Sequence, residues 1–176
     1  MIEFGKYVTA KRARVAALTL VSAATVWAVP WIKQNEGESL KAYLDSAKVW
    51  TICHGETLNV KPTDVRTKEW CDKNTQARTY QFTLNVAKLI TTPLYEDVGV
   101  YLLGSHSHFA YNVGITGYSK SQVLKLTNKG DLIGGCYAML NWYKAGGVDC
   151  RVRSSNCYGL WVRRQNEVKE CLKGAR

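Results

Sequence analysis

The amino-acid sequence predicts an α+β fold that is mainly α, with a small β-hairpin lobe, a larger helical lobe and an N-terminal anchor helix. Three observations predict it: an uncharged run at residues 15–32, strand-forming residues between 49 and 60, and helical segments after residue 65 that glycine and proline separate. A length of 176 residues suits one domain with an appendage. We therefore expect a basic tail and anchor at residues 1–32 and a globular domain at residues 33–176, with a binding cleft between its lobes.

The first element is the run from Val15 to Ile32, VAALTLVSAATVWAVPWI, which follows four basic residues: Lys6, Lys11, Arg12 and Arg14. As a helix, its 18 residues would span about 27 Å, close to the ~30 Å hydrocarbon core of a bilayer. The positive-inside rule then places the N-terminus in the cytoplasm and everything after Ile32 outside. Five Ala, two Thr and one Ser make the run weakly apolar, so such a helix could leave the bilayer. A signal peptide cleaved after Ala28 is the alternative that the sequence leaves open.

The cysteines indicate the compartment. Six of them stand at positions 53, 71, 136, 150, 157 and 171, with no CxxC pair among them. An even number in this arrangement predicts disulfides formed in an oxidising compartment, which agrees with export of the segment after residue 32. Free buried thiols in a cytosolic protein are the alternative.

The charge restricts the class of partner. A formal net charge of +10 favours polyanionic or acidic partners, which include nucleic acid, anionic lipid headgroups and cell-wall polymer. Exported cysteines and the lack of a basic nucleic-acid-binding helix motif argue against nucleic acid.

The stretch NEGESLKAYLDSAKVWT, residues 35–51, contains the candidate catalytic residues. Eight residues lie between Glu36 and Asp45, and five lie between Asp45 and Thr51. Two carboxyl groups in different environments are what glycoside hydrolysis needs, one protonated as general acid and one ionised as base or nucleophile. Taken alone, both acids are more typical of solvated surface carboxylates.

The same stretch predicts where the first helix gives way to the hairpin. Four of its residues follow a helical spacing that would place Glu36 on the buried stripe: Ile32, Glu36, Leu40 and Tyr43. The segment KVWTIC, residues 48–53, is rich in β-branched and aromatic residues. We expect the helix to continue to about residue 45 and a strand to follow it.

The segment after residue 65 predicts helices of about eight to eighteen residues. Breaks fall at Thr92-Pro93, at Gly114 to Gly117, at Gly130 and at Gly146-Gly147. Residues 80–90 have apolar side chains at helical spacing, so this amphipathic helix could link the two lobes.

Four blocks of this sequence, in order, resemble the phage-type lysozymes, glycoside hydrolase family 24, which includes phage endolysins. They are EGESLKAYLDSAKVWTICHGET with its Glu, Asp and Thr, then FAYNVGITGYSKSQVLKLTNKGD, WYKAGG and GLWVRRQNEVKECL. The resemblance covers about residues 33–173 and implies a lysozyme-like fold. The weak anchor with basic residues before it further resembles the signal-anchor-release endolysins.

The resemblance implies a role for each candidate residue. Glu36 would be the general acid that protonates the glycosidic oxygen, Asp45 the carboxylate that assists a water molecule, and Thr51 the residue that orients this water. In an inverting mechanism the two carboxyls stand roughly 6.5 to 9.5 Å apart. Either Arg163 or Arg164, in the family's Arg-Arg pair, would hydrogen-bond near Glu36, and exposed helix-surface arginines are the alternative.

Three histidines are weaker candidates. His54 could line the cleft, although a structural imidazole is the alternative. His106 and His108 diverge by about 200° on a helix, so they cannot bind one ion together. We expect no metal and no cofactor.

Six cysteines allow 15 pairings. We favour Cys53 with Cys71, which would clip the hairpin to the next helix, and Cys136 with Cys171, which would join two helices of the large lobe. Cys150 with Cys157 would close the short loop CRVRSSNC.

The resemblance, together with the export signals, implies a monomeric endolysin, a muramidase that hydrolyses the β-1,4 bond between N-acetylmuramic acid and N-acetylglucosamine in peptidoglycan for host cell lysis. Its partners would be peptidoglycan and, through residues 15–32, the host inner membrane. It would begin there as a single-pass protein, and activation would follow release of the anchor into the periplasm. A lytic transglycosylase and a catalytically silent wall-binding protein are the alternatives.

Overall fold

The computed structural model describes residues 4–45, 48–94 and 96–175, so residues 1–3 of the predicted tail lie outside the described residues. Seven α-helices are described in chain order: α1 Phe4–Glu36, α2 Lys68–Leu89, α3 Glu96–Val113, α4 Ile115–Ser119, α5 Gln122–Asn128, α6 Leu132–Tyr137 and α7 Tyr158–Cys171. Two short 3-10 helices span Ala138–Asn141 and Leu172–Gly174. Four strands are described: β1 Ser39–Leu44, β2 Trp50–Cys53, β3 Lys144–Ala145 and β4 Val148–Asp149. The predicted class, mainly helical with a small hairpin lobe, is confirmed.

Helix α1 packs on the helical lobe through one face. The residues of this face recur at steps of three and four and are buried: Val21, Ala24, Thr25, Ala28 and Ile32. On α3, Gly104 makes room for the indole of Trp27, because a Cβ added there would lie 2.4 Å from the ring. Small side chains on both helices therefore bring α1 close to α3, and the N-terminal run is part of the packed structure.

The first helix ends earlier than the sequence predicts. Helix α1 stops at Glu36, where Gly37 follows with φ +71°, and residues 39–44 form strand β1 instead of a further helical turn. Strand β1 pairs antiparallel with β2, and it also bonds to the chain near residue 65 through Ala42 N–H to the Asp64 carbonyl and Arg66 N–H to the Leu40 carbonyl, both at 2.9 Å. Backbone pairing on both sides thus outweighs the helical spacing of this segment.

The helical lobe has a continuous apolar core built mainly from α3, α5, α6 and α7. The starts of three helices are set by side-chain caps, with Thr67 accepting from the Trp70 N–H, Ser121 from the Leu124 N–H and Asp131 from the Gly134 N–H. The predicted breaks separate these helices, whereas the two-residue strands β3 and β4 were not predicted.

Three disulfides join the elements in the predicted pairing. Cys53–Cys71 links β2 to α2, Cys136–Cys171 links α6 to α7, and Cys150–Cys157 closes the loop before α7. The first of them fixes the hairpin lobe to the helix that leads into the larger lobe.

Within the described residues, the length and apolarity that a membrane crossing requires do not occur together in any helix.

Candidate active site

Glu36, the last residue of α1, lies at the junction of the two lobes. Its Oε1 accepts a hydrogen bond of 2.8 Å from Nη1 of Arg163 on α7, while Nη2 of the same arginine donates to the Asn35 carbonyl at 2.9 Å. The side chains of Glu36 and Arg163 are 24% and 11% exposed, so the pair lies at the edge of solvent. Because the Arg163 guanidinium donates to both the Glu36 carboxylate and the Asn35 carbonyl, it fixes the orientation of the Glu36 side chain.

The turn after β2 lies next to Oε2 of Glu36. Gly55 has φ +81°, and a Cβ built on it would lie 3.6 Å from Glu36 Oε2. Tyr111 of α3 holds this turn by donating its hydroxyl to the His54 carbonyl at 3.0 Å. Burial raises the pKa of Tyr111, and the charges of Glu36 and Glu56 raise it further, so the phenol stays protonated as a donor. The backbone of Gly55 and the hydroxyl of Tyr111 thus hold the end of the hairpin next to Glu36.

Asp45 and Thr51 lie on the hairpin that faces Glu36. Asp45 follows β1, and its Oδ1 accepts a hydrogen bond of 2.8 Å from the Val49 N–H, which fixes the carboxylate against the turn. Thr51 is 3% exposed, and its hydroxyl donates to the Val49 carbonyl at 3.0 Å. The register places Thr51 opposite Tyr43 on β1. Two hydrogen bonds to the backbone of Val49 therefore hold the Asp45 carboxylate and the Thr51 hydroxyl on the same turn.

The charges of both Glu36 and Asp45 affect the pKa of Tyr43. Partial burial raises the pKa of its phenol, and the negative charges of Asp45 and Glu36 raise it further. Two acids from different elements thus lie within electrostatic reach of one side chain. The structure brings together Glu36, Asp45 and Thr51, the three residues that the sequence singled out.

The two neighbouring arginines of α7, Arg163 and Arg164, bind different partners. Arg163 contacts Glu36, whereas Arg164 is 1% exposed and binds Glu167, Asn112 and, at 3.2 Å, the Trp142 carbonyl. Neither is the exposed helix-surface arginine that the sequence left open.

A buried network supports the helix end behind Glu36. His108 Nδ1 pairs with Glu167 Oε1 at 2.6 Å, and its Nε2 lies 3.4 Å from the Asn35 amide nitrogen. Burial raises the pKa of Glu167, but the hydrogen bond from His108 and the charge of Arg164 outweigh it, so that the net pKa is lowered. An ionised Glu167 therefore orders the residues that flank the candidate acid.

The remaining histidines occupy separate places. His106 is buried, its Nδ1 lies 2.8 Å from the Tyr118 hydroxyl, and burial lowers its pKa to about 3. His54 is 4% exposed and its Nδ1 donates to the Gly37 carbonyl, so the imidazole lies behind the surface of the hairpin rather than on it.

A groove of about 430 Å³ runs along α7 beside Arg163. An aromatic ring, two cations and an amide are among the residues that line it: Trp142, Arg163, Lys144 and Asn112. Such a surface suits a polar polymer that presents hydroxyls, flat sugar faces and carboxylates.

Sequence reasoning missed the residues that support the acid. Asn35, Tyr111, Asn112 and Glu167 come from three helices and are far apart in sequence, so no local spacing identifies them. Glu56, in the turn after β2, is 6% exposed and is paired with Asn74 at 2.9 Å and Arg78 at 3.1 Å.

Comparisons with known proteins bear on the family to which the chain is related. The model of the phage lysozyme family matches residues 33–167. A probable prophage lysozyme of Escherichia coli strain K12 is 36% identical over 141 residues, and the SAR-endolysin of Escherichia phage 933W is 37% identical over 141 residues, each covering 78% of both chains. The solved structure of an endolysin from Escherichia coli O157:H7 phage FAHEc1 is similar with a TM-score of 0.66 and 30% identity, covering 82% of this chain and 90% of that one.

Proposed function

This chain belongs to the phage lysozyme family, and we propose that Glu36, Asp45 and Thr51 carry out its reaction. The protein is an endolysin, a lysozyme that hydrolyses the β-1,4 bond between N-acetylmuramic acid and N-acetylglucosamine in peptidoglycan. The observation that carries the assignment of residues is the convergence of two acids and a hydroxyl, from a helix end and a hairpin, at the junction of the lobes.

Glu36 is the general acid. It protonates the glycosidic oxygen as the bond to the anomeric carbon breaks, which stabilises the departing sugar as a neutral alcohol. For this step Glu36 has to hold a proton while the sugar is bound, although Arg163 contacts its carboxylate in the resting enzyme. Arg163 is therefore a positioning residue, whose second bond to the Asn35 carbonyl keeps it in place when the proton is on Glu36.

Asp45 and Thr51 prepare the water that attacks. A carboxylate on the opposite face of the sugar removes a proton from this water, and a hydroxyl acceptor aligns it with the anomeric carbon. The Val49 N–H already holds one oxygen of Asp45, and the Val49 carbonyl fixes the Thr51 hydroxyl. The product would have inverted configuration, because water attacks from the side opposite to the leaving group.

A test on wall substrate separates this assignment from its rivals. We expect Glu36→Gln and Asp45→Asn to slow clearing of chloroform-treated Gram-negative cells by roughly 10²- to 10⁴-fold, the usual contribution of general acid–base catalysis. Glu69→Gln, which removes an exposed carboxylate from α2, is the matched control and should clear normally. Wild-type activity in Glu36→Gln would overturn the assignment. Anhydro-sugars among the products, identified by mass spectrometry, would instead indicate a transglycosylase that needs Glu36 alone.

We also propose that residues 15–32 first anchor the chain in the inner membrane and later leave it. Four basic residues before a weakly apolar run support this topology, as does the similarity to SAR-endolysins. In the fold, the face of this run that contains Ala24, Ala28 and Ile32 packs inside the protein, and only three residues separate Ile32 from Glu36. A run that lies in lipid cannot supply this face, so the anchored enzyme would lack part of its core next to the acid.

The exposed face of the same run allows a test. Ser22 and Val26 point away from the protein, so Ser22→Leu/Val26→Leu strengthens the membrane preference and leaves the packed face unchanged. We expect this double variant to stay longer in the membrane fraction and to lyse cells later, while the purified, detergent-free protein clears wall suspensions at the normal rate. Unchanged release and lysis timing would contradict the proposed anchor.

A further inference from the structure

A second cluster of chemically active side chains lies where the hairpin meets α2. Glu38 precedes β1, His54 follows β2, and Asp72 lies in the first turns of α2. One potential ligand atom from each residue lies within 4.8 Å of the others. The mechanism uses none of these three side chains.

His54 presents a bare nitrogen to this cluster. The carbonyl of Gly37 can only accept, so Nδ1 carries the proton of the neutral imidazole and Nε2 keeps its lone pair. Nε2 is fully buried and has no hydrogen-bond partner within the described part of the chain. It points at two carboxylates, 3.5 Å from Glu38 Oε1 and 3.8 Å from Asp72 Oδ1. In its neutral form the imidazole therefore presents a lone pair beside two carboxylates, an arrangement that a cation bound between the three groups would satisfy.

From this geometry we propose that Glu38, His54 and Asp72 bind a divalent transition-metal ion such as Zn²⁺. Imidazole nitrogen with two carboxylate oxygens is a donor set that suits zinc, and water would complete the coordination, whereas Ca²⁺ and Mg²⁺ prefer oxygen donors alone. The bond from Nδ1 to a backbone carbonyl is the outer-shell contact that metal-binding histidines usually make. The carboxylates can close in on an ion, because the Glu38 and Asp72 side chains are 33% and 35% exposed at the surface.

Two lysines contact the carboxylates of this cluster. Lys33 Nζ lies 2.5 Å from Asp72 Oδ1, and Lys68 Nζ lies 3.0 Å from Glu38 Oε1. Both lysine side chains are partly exposed, at 30% and 58%, and can turn to solvent when an ion binds. A bound metal thus competes with Lys33 and Lys68.

An ion bound at this cluster would also affect the elements around Glu36. The three ligands come from the end of α1, the hairpin and α2, and two of them flank the glycines that adjoin Glu36. All three ligands come together only in the folded protein, so an ion bound by them would stabilise the folded state over the unfolded one by mass action. This site is independent of the proposed catalytic roles.

The test uses the full-length, detergent-free protein and Zn²⁺ alone, in a buffer that does not chelate. Calorimetric titration should give one site per chain, with a saturable rise in Tm, and Co²⁺ should give a visible spectrum typical of nitrogen and oxygen ligands. His54→Asn is the sharpest variant, because its amide can still donate to the Gly37 carbonyl but lacks the second nitrogen. We expect it to weaken binding at least ~10-fold, and Asp72→Asn to do the same.

Two further variants make the outcome decisive. Lys33→Met removes a competing cation and should tighten Zn²⁺ binding roughly 3- to 10-fold, whereas Glu69→Gln, on the same helix as Asp72 but outside the cluster, should bind as the wild type does. Binding that His54→Asn and Asp72→Asn leave unchanged, or no saturable binding in the wild type and in Lys33→Met, would overturn the proposal.

Discussion

Replacing Ile32 by Ala tests whether the N-terminal run is a structural part of the detergent-free enzyme. Ile32 is 1% exposed on the packed face of α1. The substitution removes three carbon atoms, worth about 0.8 kcal/mol each in transfer free energy, and leaves a cavity, so we expect a loss of about 3 kcal/mol in the free energy of unfolding. In a protein of this size that corresponds to a fall in Tm of about 6 to 12 °C.

Val26→Ala is the matched control. It lies in the same run but is 66% exposed, so its removal should change the free energy of unfolding by less than ~0.5 kcal/mol. Both substitutions lower the membrane preference of the run by similar amounts, within about 0.6 kcal/mol on the insertion scale. Urea unfolding of the two detergent-free variants, followed by circular dichroism, therefore isolates the packing of α1. Equal, small losses in both variants would refute the reasoning.

Three other substitutions test the charged groups around the site. Arg163→Met should lower kcat on wall substrate roughly 10- to 100-fold, because Glu36 loses its orientation, and an unchanged kcat would contradict this role. Arg164→Met should cost about 3 to 5 kcal/mol in urea unfolding, since it leaves the buried Glu167 carboxylate without its guanidinium, and a loss below about 1 kcal/mol would show that the pair is unimportant. Burial lowers the pKa of His106 to about 3, so between pH ~6.5 and ~3 the unfolded chain binds a proton at this residue that the folded chain does not bind. The free energy of unfolding therefore falls as the pH is lowered through this range, by up to about 1.4 kcal/mol per pH unit from this group. His106→Asn should flatten that slope in urea titrations at several pH values, and a slope equal to that of the wild type would exclude His106 as its source.

Short-range signals made much of the fold predictable. The β-branched and aromatic residues around Trp50–Cys53 indicated a strand, and the glycine and proline breaks separated the later helices. The Arg-Arg pair pointed towards Glu36, but only the packing of α7 decides that Arg163 makes the contact and Arg164 is buried. Sequence spacing therefore supplied the candidates, and tertiary structure distributed their roles.

Long-range pairing explains what the sequence did not show. The helical spacing through Leu40 and Tyr43 was misleading because the chain near Asp64 and Arg66 pairs with β1, some twenty residues away along the chain. In the same way, the sequence predicted no metal site, since the three proposed ligands come from three separate elements and share no motif spacing. Both features depend on contacts that form only in the folded chain.

Under the proposed anchoring, helix α1 would couple the location of the protein to its activity through geometry alone. The helix is continuous from the basic segment to Glu36, so its buried face and the candidate acid belong to one rigid element. If residues 15–32 cross a bilayer, Ala24, Ala28 and Ile32 face lipid or neighbouring headgroups, and α3 loses the surface against which it packs. The same residues cannot fill both roles at once. Anchoring and a complete active site would then exclude each other without any separate inhibitor, and the weak apolarity of the run would set how readily one state gives way to the other.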